Sequence, residues 1–207
     1  MLDTRAVIFD FGGVLVTMTD DRPRIKLAQS LGVPLARLDE LVFFSQTAQL
    51  ASLGEISVKE HWQAVGNALG IPAAEIPAFL EEYWSADDVN WRLLDYIRSL
   101  APRYKVGLLS NAWDDLRQTL HNRWNIAVLF DEIIVSAEVG MVKPDPRIYH
   151  MALDRLGVQP DEAIFIDDMP ANVEAARREG MTGIQYRDTE QVLKELETLL
   201  EAGRLGG

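Results

Sequence analysis

The chain has 207 residues, of which 48% are hydrophobic and 25% are charged, a composition that is ordinary for a folded globular protein. Its 32 acidic and 20 basic residues give a formal charge of −12. This charge disfavours binding to nucleic acid, and an anionic substrate would need a local positive centre. Because the chain has no cysteine, disulfides and thiolate sites are excluded.

Neither a membrane span nor a secretory signal is expected from the sequence. No apolar run approaches the roughly 20 residues that are needed to cross a bilayer. The first residues, MLDTRAV, lack the basic and then apolar pattern of a secretory signal. We therefore expect a cytoplasmic protein with no membrane or nucleic-acid partner, and the sequence predicts no particular oligomeric state.

Five short apolar runs, each bounded by glycine or polar residues, predict the buried strands of a parallel sheet. Helical patterns separate or follow the later runs, so we predict an α/β fold with a doubly wound, Rossmann-like parallel sheet. The predicted strands are 6–9, 105–109, 132–135, 163–166 and 183–186. The predicted helices are 91–100, 114–123, 146–156, 170–179 and 190–201, and 203–207 is predicted to be a frayed tail.

The segment 18–88 interrupts this alternation. It carries helical patterns at 22–31, 35–50, 57–69 and 73–84 and no convincing strand. We predict a small all-helical domain over 18–88, inserted into a core domain made of 1–17 and 89–207. The segment 43–46 (FFSQ) and the turn at Gly54–Glu55 are candidates for facing the core, although packing inside the insertion is the favoured interpretation for Phe43 and Phe44. Packing roles are predicted for His61, Trp62 and Trp84.

Four polar side chains follow predicted strands: Asp10, Ser110, Asp167 and Asp168. In an open α/β sheet, ligands bind beyond the carboxyl ends of the strands, so these side chains are predicted to converge. An aspartate there can attack phosphorus and form an aspartyl-phosphate. The carboxylates of Asp10, Asp167 and Asp168, with a backbone carbonyl near Gly12, are predicted to bind Mg²⁺, which prefers oxygen ligands.

The same region offers groups that could hold a phosphoryl group. The Ser110 hydroxyl and the amides of Phe11, Gly12 and Asn111 could donate to its oxygens. Lys143 could pair with both the phosphoryl group and Asp10, and would supply the missing positive centre.

Each of these residues also has an ordinary structural interpretation. A lone aspartate after a strand is commonly a turn or helix-cap residue, and Asp167–Asp168 could simply begin the helix at Pro170. Ser110 and Asn111 could be caps, and Lys143 a solvated lysine. His121 and His150 are predicted to be structural or exposed on helices. It is the combination of these features in one chain that favours a functional site.

Four segments that carry these residues resemble the motifs of the haloacid dehalogenase-like hydrolase superfamily, in their usual order: VIFDFGGVLV, GLLSNAW, FDEIIVSAEVGMVKPDPRIY and FIDDMPANVEAA. The resemblance covers 4–17 and about 90–187, and the helical insertion has the position of the cap that follows the first strand in one subfamily. It implies a phosphatase-type fold and site, with Mg²⁺ as cofactor and a small phosphorylated molecule as substrate. The roles it implies are Asp10 as nucleophile, Ser110 as phosphate binder, Lys143 as stabilising lysine, Asp168 with Asp167 as magnesium ligand, and Asn172 as support for that loop or, alternatively, an ordinary helix-start residue.

Gly12 departs from the pattern of these phosphatases. They usually have a second aspartate at this position, which protonates the leaving oxygen and activates water, a contribution of about 10²–10⁴-fold in rate. Three explanations are open: an intrinsically good leaving group, a substitute residue or water, or phosphate binding without efficient turnover. First motifs with glycine here resemble those of a sugar-phosphate phosphatase branch.

The predicted function is thus a Mg²⁺-dependent phosphatase of small phosphorylated metabolites, such as sugar phosphates. One alternative is a phosphate-binding or regulatory protein with weak catalysis, which the loss of the acid at Gly12 would explain. A dehalogenase is the other. Dehalogenases also lack the second aspartate, but their fourth motif is rich in serine and asparagine, whereas this chain has Asp167–Asp168.

Overall fold

A five-stranded parallel sheet forms the centre of the protein in the computed structural model, which describes residues 3–204, the last three by their backbone alone. The strand order is β5-β4-β1-β6-β7, so the first strand lies in the middle, and a separate two-stranded sheet pairs β2 with β3. The strands are β1 (Ala6–Phe9), β2 (Val16–Met18), β3 (Asp87–Val89), β4 (Lys105–Ser110), β5 (Glu132–Val135), β6 (Ala163–Asp167) and β7 (Thr182–Gln185).

Helices cover both faces of the large sheet, and the alternation of side chains along the strands explains why. The helices are α1 (Arg22–Ser30), α2 (Leu35–Asp39), α3 (Gln46–Ser52), α4 (Val58–Leu69), α5 (Ile76–Tyr83), α6 (Trp91–Leu100), α7 (Leu116–Asn122), α8 (Ser136–Val139), α9 (Pro146–Leu156), α10 (Pro170–Arg178) and α11 (Thr189–Arg204). Val7 and Phe9 of β1 pack into one apolar cluster with α6, α7 and α11, whereas Ala6 and Ile8 pack into a second cluster with α9 and α10.

The predicted α/β fold with a doubly wound parallel sheet is confirmed, and only details of its elements differ. Strands β4 and β6 each include the polar residue that was predicted to follow them, Ser110 and Asp167. The short helix α8 was not predicted, and α7 begins two residues later than expected, at Leu116. Helix α11 continues to Arg204, so 203–204 are not a frayed tail, and 205–207 lie outside the described residues.

Helices α1–α5 form the insertion, and α1, α2, α4 and α5 share an apolar cluster. The single helix predicted over 35–50 is wrong. A five-residue π-helix (Glu40–Phe44) follows α2, and the chain then turns extended at Ser45, with φ −69° and ψ 162°. The Ser45 hydroxyl accepts from the Ala48 amide at 3.2 Å and thereby begins α3 as an N-cap. Likewise, the helix predicted over 73–84 starts as a 3₁₀ turn (Ala73–Glu75) before α5.

An antiparallel pair of strands, β2 and β3, joins the insertion to the core. Val16 pairs with Val89 and Met18 with Asp87. The expectation that 18–88 holds no strand is therefore wrong at both of its ends. The signal was weak because each strand has only three residues and aspartate is depleted in strands.

Among residues 3–204, no helix is both long and apolar enough to cross a membrane.

Candidate active site

The predicted site residues meet at the carboxyl ends of the central strands. Asp10 follows β1, and its amide donates to the Ile166 carbonyl of β6 at 2.8 Å. Ser110 and Asp167 are the last residues of β4 and β6, the two strands that flank β1. Parallel neighbours end at the same edge of a sheet, which explains why side chains that are distant in the sequence converge here.

Lys143 lies between two aspartates. Its Nζ is 2.8 Å from Asp10 Oδ1 and donates to Asp167 Oδ2 at 2.6 Å. The lysine side chain is 1% exposed and those of the two aspartates at most 10%, so the interactions are strengthened by low local polarity. The same ammonium lies 5.5 Å from the centre of the Phe165 ring, a favourable cation–π distance. The structure thus contains the local positive centre that the net charge called for.

Asn172 supports Asp167 rather than merely starting a helix. Its Nδ2 donates to both Asp167 carboxylate oxygens at 3.1 Å, and the Met169 amide donates to Oδ1 at 2.8 Å. The Tyr149 hydroxyl donates to the Asn172 carbonyl at 3.0 Å. Both oxygens of Asp167 are therefore hydrogen-bonded within the protein, and the carboxylate is held in one orientation.

The three carboxylates fit a divalent cation. One oxygen from each of Asp10, Asp167 and Asp168 lies within 4.8 Å of the others. When ionised, the three carboxylates carry three negative charges, of which Lys143 neutralises one. A hard divalent cation, which prefers oxygen ligands, would balance the other two. Glycine at position 13 allows Asp168 to lie this close, because a Cβ there would be 2.5 Å from Asp168 Oδ2 and because φ is +79°.

The burial of these groups also shifts the pKa values of their carboxyl groups. Burial raises the pKa of Asp10 to about 7, although the ammonium of Lys143 opposes the shift and the carboxylate of Asp167 adds to it. Burial and the neighbouring Asp167 raise the pKa of Asp168 as well.

The other predicted phosphoryl-binding residues lie around Asp10. Gly12, Ser110 and Asn111 line a cavity of about 940 Å³, and Ser110 is itself buried. The Phe11 amide, in contrast, donates to Asp10 Oδ1 at 2.7 Å, so in this structure it is not free for a phosphoryl oxygen.

Two reciprocal pairs of hydrogen bonds hold the loop that follows β4. The Asn111 side chain donates to the Lys143 carbonyl at 2.9 Å and accepts from the Lys143 amide at 2.7 Å. Ser136 Oγ bonds in the same way to the amide and carbonyl of Ala112, both at 3.0 Å. Sequence reasoning assigned Asn111 only through its backbone and missed Ser136, whose one signal was its place directly after a strand.

The insertion contacts the core near this loop. A Cβ on Gly54 would lie 2.1 Å from the Ala137 carbonyl oxygen, so the turn at Gly54 faces the core as expected. Phe43 also faces it, because its ring stacks on that of Trp113 at 6.4 Å between centroids. Phe44 is 71% exposed.

The histidines and tryptophans that were predicted to be structural have structural surroundings. His61 is fully buried, with Nδ1 3.0 Å from Thr47 Oγ1 and Nε2 3.1 Å from the Val42 carbonyl, and burial lowers its pKa. Trp62 is buried in the cluster of the insertion, against which Trp84 packs. The exposed His150 pairs with Glu179 at 2.7 Å, and His121 is exposed on α7.

Several known proteins resemble this chain over most of its length. A sesquiterpene phosphatase of Aspergillus oryzae is 30% identical over 95% of this chain and 96% of its own length. A D-ribitol-5-phosphate phosphatase of Bacteroides thetaiotaomicron is 28% identical over 95% of this chain and 98% of its own. The chain is also 30% identical to bifunctional epoxide hydrolase 2 of Sus scrofa, but it spans only 38% of that longer protein.

The fold is shared with a solved structure as well. A predicted HAD-like family hydrolase from Porphyromonas gingivalis superposes with a TM-score of 0.79 and 25% identity, covering 96% of this chain and 98% of the other. Residues 4–180 match the family of haloacid dehalogenase-like hydrolases, and this range contains every residue of the strand-end site. The chain therefore belongs to the haloacid dehalogenase-like hydrolase family.

Proposed function

We propose that this hydrolase is a Mg²⁺-dependent phosphatase of small phosphorylated molecules, in which Asp10 is the nucleophile. The observation that carries the proposal is the buried Lys143 ammonium between Asp10 and Asp167, beside a third carboxylate, at the ends of parallel strands. A dehalogenation site would have no use for the carboxylate of Asp168 so close to that of Asp10, whereas a divalent cation could bind to both. The division into a core and an inserted cap, with limits near residues 18 and 88, is part of the same proposal.

The residues would act as follows. Asp10 attacks the phosphorus atom, and the aspartyl-phosphate that forms is later hydrolysed by water, so that one difficult step is replaced by two easier ones. Lys143 keeps Asp10 in place and neutralises charge on the phosphoryl oxygens, to which Ser110 donates a hydrogen bond. Asp10 and Asp168, with the Gly12 carbonyl, would hold Mg²⁺, which supplies further charge neutralisation. We infer that Asp167 chiefly positions Lys143, since both of its oxygens already accept hydrogen bonds.

The comparisons support a phosphatase and leave the substrate open. Two relatives that match nearly end to end are a sesquiterpene phosphatase and a D-ribitol-5-phosphate phosphatase, at almost the same identity of 30% and 28%. A sesquiterpene leaving group is apolar, whereas a sugar alcohol is polar. The choice between them for this chain must come from its own cavity.

The proposal is tested by phosphate release from p-nitrophenyl phosphate. We expect activity that needs Mg²⁺, is abolished by EDTA and restored by Mg²⁺, and is lost in Asp10→Asn, which keeps the shape but not the nucleophile. Asp154→Asn, on the exposed surface of α9, is the matched control and should retain activity. Activity that survives both EDTA and Asp10→Asn would exclude the proposal.

A second candidate is a phosphate-binding protein without efficient turnover, and Gly12 is the observation that favours it. Gly12 stands where these phosphatases usually have an aspartate, and it has no side chain that could donate a proton to a leaving group. Such a protein would release no phosphate from a panel of esters, yet inorganic phosphate with Mg²⁺ would raise its melting temperature. Turnover of any ester in the panel would remove the reason for this candidate.

A further inference from the structure

The cavity that reaches Gly12 and Ser110 extends between the core and the insertion, and its volume of about 940 Å³ is large for a metabolite of a few carbons. Away from the strand ends, the wall of the cavity becomes mainly apolar. Six aromatic side chains line it: Phe11, Phe43, Trp62, Trp84, Trp113 and Trp124. Six larger aliphatic residues complete the apolar part of the wall.

The rings come from both parts of the molecule and contact one another. In the core, Phe11 directly follows Asp10 in the chain, and its ring centroid lies 5.3 Å from that of Trp124. From the insertion, Phe43 stacks on Trp113 with an interplanar angle of 14°. Although it has four aromatic neighbours within 6.4 Å, Phe43 is still 39% exposed, because its remaining face borders the cavity. A continuous apolar surface therefore begins beside Asp10 and runs outward under the insertion.

Two arginines line this wall, and both contact other groups of the protein. Arg123 is exposed; its Nη2 donates to the Trp84 carbonyl at 3.4 Å, and its guanidinium lies 5.1 Å from the Trp124 ring centre. Arg24 Nη2 donates to Asp87 Oδ1 at 2.8 Å, its Nε donates to the Tyr83 carbonyl at 3.2 Å, and its guanidinium lies 4.2 Å from the Tyr83 ring centre. Two other polar residues of the wall, Gln49 and Asp115, are exposed to solvent. A polyol in this cavity would bury hydroxyls against rings that cannot accept their hydrogen bonds well, which is costly.

We propose that the physiological substrate is the monophosphate ester of an apolar alcohol, such as a long alkyl or prenyl chain, and not a sugar phosphate. This inference rests on the proposed phosphatase function. The phosphoryl group would lie at Asp10 and the hydrocarbon in the aromatic cavity. The ester P–O bond breaks as Asp10 bonds to phosphorus, and the alcohol oxygen takes a proton from water. The hydroxide that remains attacks the phosphorus of the aspartyl-phosphate, which releases hydrogen phosphate and restores the Asp10 carboxylate. The net reaction consumes one water and yields the alcohol and phosphate.

The first experiment compares kcat/KM for butyl, hexyl and octyl monophosphate with that for ribose 5-phosphate. Each methylene that enters the cavity should raise kcat/KM by up to about fourfold, because burying a CH₂ group is favourable by about that factor. Ribose 5-phosphate should be the poorest substrate. Hydrolysis of ribose 5-phosphate at least as efficient as that of octyl phosphate would overturn this inference while leaving the phosphatase function intact. Absence of phosphate release from every ester would instead count against the proposed function.

A second experiment needs no turnover. Four of the five tryptophans line the cavity, so binding of octylphosphonate should change the intrinsic fluorescence, whereas methylphosphonate should have little effect. Phe43→Ala should weaken octylphosphonate binding about tenfold through lost apolar contact. The control is Phe44→Ala, since this neighbouring ring is 71% exposed and outside the cavity wall. Equal affinity for the two phosphonates, or equal losses in the two variants, would contradict the inference even if phosphate esters are hydrolysed.

Discussion

The charged cluster at the strand ends (Asp10, Lys143, Asp167 and Asp168) and the cavity beside it are built from opposite kinds of side chain. In the cluster, buried Lys143 contacts two buried carboxylates, and Asn172 satisfies the oxygens of Asp167. In the cavity, rings from the core and the insertion face one another, and the charged Arg24 is paired with Asp87. The charged cluster and the apolar cavity adjoin each other near Gly12, which lines the cavity.

Because of this difference, we expect the two regions to bind different parts of the substrate in the proposed reaction. In that reaction, the charged side chains belong to the core and would contact the phosphoryl group, which every phosphate ester has. The apolar wall, to which the insertion also contributes, would contact the alcohol, which differs between esters. Changes in the cluster should therefore affect all substrates alike, whereas changes at its border or in the insertion should affect some substrates more than others.

The largest effect is expected from removing the cation of the cluster. Lys143→Met leaves Asp10 and Asp167 buried without their partner, which should reduce the free energy of unfolding by about 3–5 kcal/mol and abolish phosphate release for every ester. Urea unfolding and phosphate release measure the two effects. The exposed Lys59→Met is the control and should change neither. A loss of stability below about 1 kcal/mol, the range of exposed pairs, would show that the buried interactions do not hold the cluster together.

A smaller effect is expected at the border, where an acid can be added. A Cβ at Gly12 would have no heavy atom within 4 Å, so Gly12→Asp should be tolerated. The new carboxylic acid could protonate a poor leaving group, and we expect hydrolysis of butyl phosphate to rise about a hundredfold, the lower range of general acid catalysis. p-Nitrophenyl phosphate, whose leaving group needs no proton, should gain little.

Gly12→Asn separates acid catalysis from a change of shape, since asparagine has the same size but cannot donate a proton as an acid. An equal gain in both variants, or a gain that is as large for p-nitrophenyl phosphate, would be inconsistent with a missing acid at this position.

The smallest effect concerns the contact between the insertion and the core. In Gly54→Ala, the new Cβ would collide with the Ala137 carbonyl oxygen, which it would approach to 2.1 Å. Gly70→Ala is a matched control, because both glycines have φ +70° but a Cβ at Gly70 would have no neighbour within 4 Å. We expect Gly54→Ala to cost about 1–3 kcal/mol more than Gly70→Ala in thermal unfolding, the usual penalty of overpacking. Equal costs would mean that this contact yields without strain.

Much of the core could be predicted because its signals are local. Apolar runs bounded by polar residues located the five strands of the large sheet, and the rule for ligand sites at strand ends brought Asp10, Ser110 and Asp167 together. The insertion was predicted less well. The π-helix ending at Phe44 and the strands β2 and β3 are short, and they form only because distant segments pack against them.

The sequence by itself determined the family, the α/β core and the residues of the charged cluster, because strand periodicity and motif spacing are written along the chain. Only the tertiary structure decided which partners each charged group has and what surrounds the leaving group. Asn172 bonds to a carboxylate five residues away, but Lys143 pairs with Asp10 across 133 positions, and Phe43 meets Trp113 across 70. Trp62 and Trp84, to which the pattern assigned only packing roles, thus line a cavity together with Phe43, because the packing of the insertion against the core leaves one face of Phe43 uncovered.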